Sequence, residues 1–241
     1  MSEPLYMIQA RLERLALLRY GRSLGLPLAQ SDQGYLTHAL LRGLFGPLAP
    51  QPFALPRPTS MTVWGYAAVD HHVLLEQARA AAQPLALAAL DAASLCSKTM
   101  PARWPRGWSA GFEVRVCPVV RTARPDGARE REVDAFLARC WRDGPSVEVD
   151  REAVYRDWII SALEAGGAAH VTALKLVSFQ RSRLWRRQHG GAGRNFHRCE
   201  RPDVSATGRL EVAEPEAFAA LLRRGLGRHR AFGFGMLLLH H

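Results

Sequence analysis

The sequence predicts an α+β protein whose antiparallel sheets are covered by helices on one face. Three observations carry this. Short segments alternate apolar and polar residues, amphipathic helical segments lie between them, and the first half runs strand–helix–strand–strand–helix–strand. That order is ferredoxin-like (RRM-like), and the second half repeats the alternation. The expectation is two such units in tandem, residues 1–121 and 150–241, with a linker and an inserted helix over 122–149.

Leu5–Leu12 (LYMIQARL) alternates as a half-buried strand does. A helix is expected at about 33–45, capped by Ser31 or Asp32, with Leu36, Leu40 and Leu44 as its buried stripe. Strands at Phe53–Leu55 and Met61–Ala67 flank a Pro-rich turn (56–58). A helix at about 70–82 follows, and GFEVRVCPVVR (111–121) supplies the fourth strand. Thr122–Gly127, with Pro125 and Gly127, is the expected inter-domain link. A helix over 129–142 would bury Val133, Phe136, Leu137, Cys140 and Trp141. Asp150 caps the next helix, whose inner face is Val154, Trp158, Ile159 and Leu163 and whose end is Gly166–Gly167. Strands are expected at about 170–185 and 207–213. The last helix opens on Pro215, carries Phe218, Leu221 and Leu222, and stops at Gly225 before a buried strand, MLLL (236–239).

The net charge is +10, and all but Lys98 and Lys175 of the 32 basic residues are arginine. Arginine presents a planar fork of donors that matches phosphate. A GC-rich coding sequence accounts for the arginine-to-lysine ratio equally well, but not for the charge excess, which favours a polyanionic partner. No apolar run approaches the ~20 residues of a membrane span. Glu3 and Pro4 stand where a signal peptide carries basic residues, so a soluble, cytoplasmic protein without a membrane partner is expected. Cys96, Cys117, Cys140 and Cys199 form no CxxC pair, and His189, His197 and Cys199 fit no zinc spacing. The cysteines are therefore expected as buried free thiols, with no metal and no cofactor.

Three constellations carry chemistry. The tail Gly225-Leu-Gly227-Arg228-His229-Arg230-Ala-Phe-Gly233-Phe-Gly235 packs glycines and basic side chains between a helix and a strand, a composition suited to cradling phosphates. Tyr35-Leu-Thr-His38 places a phenol and an imidazole three residues apart on one helix face, with Arg42 four residues further on the same face. Gln180–Arg201 holds seven arginines, including Arg181, Arg183, Arg186, Arg187, Arg194 and Arg198, and one acid, with Trp185 and Phe196 interleaved. It suits a hairpin or finger that enters the groove of an RNA stem and tracks its phosphates; a solvated, partly disordered loop is the alternative reading.

A helix followed by G-h-G-x-x-x-A-h-G-h-G (h apolar) and a terminal strand closely resembles the glycine-rich signature of the RAMP superfamily. Within it, the chain resembles the CasE type of CRISPR RNA-processing endoribonuclease. Residues 208–239 read like that family's last three elements without a gap, LYMIQARL like its first strand, and 122–149 like an insertion. The resemblance implies that Tyr35 and His38 match the family's tyrosine and histidine in the first helix, and that the basic hairpin meets the repeat stem. It implies metal-independent cleavage of CRISPR precursor RNA at the repeat stem-loop, in which the ribose 2′-oxygen attacks the phosphorus to give a 2′,3′-cyclic phosphate. His38 is then general acid/base, Tyr35 a positioning or relay partner, and Arg42 a stabiliser of the phosphorane. The implied partners are the crRNA stem-loop and other subunits of an interference complex. A non-catalytic RAMP-type crRNA-binding subunit is the alternative, and it leaves Tyr35 and His38 unexplained. Catalysis led by arginines rather than His38 also stays open, as do subtypes I-E and IV. A DNA-binding regulator would need a helix-turn-helix, and a metal-dependent nuclease would need clustered carboxylates; neither pattern is seen.

Overall fold

The computed structural model describes residues 3–26, 33–56, 61–122, 131–187 and 196–240. The first half runs β1 (Tyr6–Leu12), α1 (Arg14–Ser23), α2 (Gln33–Phe45), β2 (Phe53–Ala54), β3 (Thr62–Ala67), α3 (His71–Ala81), α4 (Pro84–Leu87) and β4 (Leu90–Thr99). Its sheet has the order β2-β3-β1-β4, with antiparallel pairs such as Ile8↔Gly65 and Gln9↔Cys96. The second half runs β5 (Ser109–Val116), β6 (Val119–Thr122), β7 (Arg131–Asp134), α5 (Ala135–Asp143), α6 (Arg151–Glu164), β8 (Ala169–Arg187), β9 (Phe196–Val212), α7 (Pro215–Arg224) and β10 (Leu237–His240). Its sheet has the order β10-β5-β9-β8. Numbering β5, β8, β9 and β10 as strands one to four reproduces the order of the first sheet. The fold is thus a tandem of ferredoxin-like units, with the small β6–β7 sheet and α5 inserted between β5 and α6.

Local chemistry accounts for the elements. Asp70, Asp134 and Asp150 are N-caps whose carboxylates accept from Val73, Phe136 and Glu152 amides, satisfying donors that the helix geometry leaves bare. On α2, Leu36, Leu40, Leu41 and Leu44 are buried against Ile8, Ala10 and Leu12 of β1 and Leu74 and Ala78 of α3. Removing each such leucine from water contributes roughly 1.5–3 kcal/mol. Tyr66, from β3, is buried in a second cluster with Phe112, Val114, Phe218, Leu222 and Leu237. Its hydroxyl donates to the Leu237 carbonyl at 2.9 Å, so a shared core and a buried hydrogen bond join the two halves.

The structure corrects several expectations. The segment 111–121 is not the fourth strand of the first sheet. The strand ends at Val116, Pro118 removes a ladder donor, and β5 pairs with β9 and β10 of the second sheet. The first sheet's fourth strand is β4, so the division expected at residue 121 does not separate the sheets. The expected helix over 129–142 is a strand, β7, followed by α5, because Asp134 caps a helix beginning at Ala135. Val133 is buried in β7, while Trp141 is 63% exposed rather than inward. The expected strand 207–213 is the end of the much longer β9. Helices α1 and α4 were unforeseen. The expected cap at Ser31 or Asp32, Arg194 and most of the 122–127 link lie outside the described residues.

Candidate functional site

Helix α2 presents Tyr35, His38 and Arg42 on one side and its leucines on the other. Tyr35 and His38 are half-buried and Arg42 is exposed. Burial, and then the charge of Arg42, hold the His38 imidazole below the ordinary histidine range. At neutral pH His38 is accordingly a neutral proton acceptor.

The glycine-rich segment meets this helix. A 3-10 turn, Arg230–Phe232, packs on α2, and the Phe232 ring stacks on Tyr35 with centroids 5.6 Å apart and planes 21° from parallel. The two constellations recognised 190 residues apart are therefore neighbours. The four glycines have positive φ, and each has an internal reason for lacking a side chain. A β-carbon on Gly225 would lie 2.7 Å from the Gly235 carbonyl oxygen, one on Gly235 2.1 Å from that of Leu226, and one on Gly227 2.5 Å from the Trp158 ring. Gly233 sits against Phe53. These glycines build the loop by close backbone packing.

The basic side chains of the segment are held by the protein itself. Arg228 is exposed and donates to Glu132, buried His229 is bonded to Glu132, and Arg230 reaches the Arg224 carbonyl at the end of α7.

The basic hairpin is β8–β9, paired from Ala169↔Val212 to Arg187↔Phe196 with register shifts between Val171 and Ala173 and between Leu176 and Ser178. Arg181 and Arg183 share its exposed face, 3.8 and 3.6 Å from Glu200. Arg186, Arg187 and Arg198 lie on the distal ladder; their side chains, like those of Trp185 and Phe196, fall outside the described residues. Midway along the hairpin, Asp203 accepts a two-pronged bond from Arg115 (2.8 and 2.7 Å), and further bonds from Gln180 and Ser182. Burial would raise the Asp203 carboxyl, but hydrogen bonding to Arg115 and that residue's charge, with Ser182 and Gln180, hold it below the usual range. Arg115 in turn lies 4.4 Å over the Phe234 ring. The hairpin, the central strand β5 and the glycine-rich segment thus share one anchor.

Glu132, Phe232, Arg115 and Asp203 were not singled out from the sequence. Phe232 is an apolar position of the glycine pattern, the one signal available; Glu132 falls in a segment read as a helix. A cleft of about 700 Å³, lined by Gln33 at the start of α2 and by Glu113, Arg115, Ser182, Asp203 and Leu238, includes none of the α2 trio. Among the described residues, no three His, Cys, Asp or Glu side chains come together as metal ligands would. No helix of the described residues is long and apolar enough to cross a membrane. Cys117 is buried, which pushes its thiol up, Cys140 and Cys199 are half-buried, and Cys96 is exposed, contrary to the burial expected of all four.

The family model described as CRISPR associated protein matches residues 5–241. Among solved structures, Thermus thermophilus Cse3 bound to an RNA representing a pre-cleavage complex is similar at 18% identity and TM-score 0.62, covering 99% of this chain and 100% of that one. The CRISPR-associated protein Cas6e from Escherichia coli K-12 is similar at 18% identity and TM-score 0.56, covering 97% and 98%. A chain of a CRISPR RNA-guided surveillance complex, pre-nicking, is similar at 14% identity and TM-score 0.51, covering 97% and 98%. No curated protein sequence matches the chain.

Proposed function

Since the chain belongs to the CRISPR-associated protein family, we propose that it is the endoribonuclease that cuts CRISPR precursor RNA at the repeat stem-loop and keeps the product. The observation that carries this is the seating of the tyrosine–histidine helix against the glycine-rich segment, through Tyr35 and Phe232. The similar folds of proteins described as Cse3 bound to RNA and as Cas6e support the same reading.

In this mechanism the RNA supplies its own nucleophile. The hairpin β8–β9 holds the stem through backbone phosphates, with Arg181, Arg183, Arg186, Arg187, Arg194 and Arg198 as its cations. Arg228, His229 and Arg230, with the glycines at 225, 227, 233 and 235, border the scissile region. His38, neutral in the free protein, accepts the 2′-hydroxyl proton as the 2′-oxygen attacks phosphorus. The same imidazole, once protonated, can supply the 5′-oxygen with its proton. Tyr35 orients the phosphate, and Arg42 balances charge on the pentacoordinate phosphorus. The products are a 2′,3′-cyclic phosphate and a 5′-hydroxyl, and no step calls for a metal ion. The long paired hairpin offers an extended surface on which the cleaved stem remains, as a retained crRNA subunit requires.

The test is single-turnover cleavage of a labelled repeat hairpin in EDTA. Cleavage is expected with the native RNA and none with a 2′-deoxy substitution at the cut site; cutting of the deoxy substrate refutes the mechanism. His38→Ala is expected to lower the rate by about 10²-fold or more with little change in affinity. Tight binding without cleavage of native RNA would instead identify a non-catalytic RNA-binding subunit.

A further inference from the structure

A buried acid ties the inserted strand pair to the glycine-rich segment. Glu132 stands on β7 with its side chain 8% exposed. Arg228 Nε reaches its Oε1 at 2.5 Å, while His229 Nε2 and Arg201 Nη2 lie 3.1 and 3.5 Å from Oε2. A carboxylate so withdrawn from water is stable only when paired, and here its partners come from both the hairpin and the glycine-rich segment.

One partner is unusual. His229 has φ 62° and ψ 23°, the one left-handed residue other than glycine among the described residues. A side chain with a β-carbon rests there only when its surroundings compel it. What compels His229 is its ring, 1% exposed and bonded to Glu132. From His229 the path to the site is short. Its carbonyl accepts the Phe232 amide at 2.8 Å, closing the 3-10 turn, and the Phe232 ring stacks on Tyr35.

We infer that Glu132 is a positioning residue for the Tyr35–His38 site: by holding His229 left-handed it sets the turn that seats Phe232 against Tyr35. The inference rests on α2 being the cleaving helix. Glu132 touches neither Tyr35 nor RNA in this scheme, and its influence passes through two residues of the segment.

A double-mutant cycle on the full chain tests it, with Glu132→Gln and Phe232→Leu alone and together. The readouts are single-turnover cleavage at saturating repeat hairpin, Kd for that hairpin, and Tm. Glutamine keeps the shape and one acceptor but not the charge. Glu132→Gln is expected to slow cleavage roughly tenfold with Kd within about twofold, and to add little in the Phe232→Leu background. Equal slowing in both backgrounds, or a changed Kd with an unchanged rate, overturns the inference. Should Glu132→Gln fail to fold, His229→Gly and His229→Ala decide. Glycine takes positive φ freely and alanine does not, so the glycine variant should cleave several-fold faster than the alanine one, and equal rates overturn the inference. A wild-type protein that cleaves no hairpin sinks the underlying reading; cleavage with an additive cycle sinks this inference alone.

Discussion

Asp203 offers a stability prediction whose size follows from its surroundings. Its side chain is 2% exposed, and that of its partner Arg115 is 23% exposed. Asp203→Asn leaves one acceptor for two guanidinium prongs and brings an amide N–H against a cation. Removing one member of a buried pair costs about 3–5 kcal/mol, much of it the charge left behind. Water reaches part of Arg115, so the lower end applies, about 3 kcal/mol. For a chain of this size that lowers Tm by roughly 6–12 °C. Glu214→Gln is the contrast: its pair with Arg106 has side chains 53% and 71% exposed, worth about 1 kcal/mol or less. Calorimetry of both variants across pH adds a second check. The folded Asp203 pKa is depressed, so its contribution is complete above the ordinary aspartate value near ~3.9 and is lost as pH falls through the lower folded value. The gap between wild type and Asp203→Asn should hold from neutral pH to about pH 5 and close only in stronger acid. A variant melting within about 2 °C of wild type, or no lower than Glu214→Gln, would show that the hairpin does not depend on this pair.

Two further predictions concern catalysis and binding. Arg42→Ala removes a charge that lowers the His38 pKa, so the acidic limb of the pH profile, read at subsaturating RNA, should move up toward the ordinary histidine value. A limb that stays or moves down contradicts both the coupling and the base assignment. Arg186→Ala with Arg187→Ala should weaken repeat binding and flatten the plot of log affinity against log salt by about 0.7–0.9 per lost phosphate contact; an unchanged slope takes the distal hairpin out of the interface.

What the sequence disclosed and what it concealed have separate physical causes. Helix α2 was legible because Leu36, Leu40 and Leu44 repeat at helical spacing against a continuous core. Helix α7 was legible because proline and glycine mark its ends. Strand β4 was not: LDAASLCSKT has one β-branched residue, and its alanines and serines follow no period of two. Helix α1 exposes Leu15 and Leu18 while burying Leu17, Tyr20 and Gly21, so its pattern reads as neither element. Strand β5 was found but assigned to the wrong sheet, since alternation reports a strand's faces and not its neighbours. The same limit applied at the site. Tyr35, His38 and the glycines are visible as local spacings, whereas the contacts of Glu132 are with residues remote in sequence, His229 being 97 positions away.

The glycine pattern also bears a different physical meaning from the one its composition suggests. Free of side chains, such a loop is expected to let phosphate approach the backbone. Yet a β-carbon at Gly225, Gly227 or Gly235 would strike the protein's own atoms. Arg228 and Arg230 are likewise engaged, with Glu132 and the Arg224 carbonyl. The pattern therefore specifies a shape before it specifies a ligand: a tight loop whose Phe232 must arrive at Tyr35. That arrival needs both ferredoxin-like units. Tyr66 of the first is bonded to Leu237 of the second, and Phe53 and Pro52 of the first pack on Gly233 and Gly225. A single unit, even one carrying α2 unchanged, would present Tyr35 and His38 with nothing stacked behind them. The second unit thus supplies, through Phe232, the wall on which the Tyr35 face of α2 is seated.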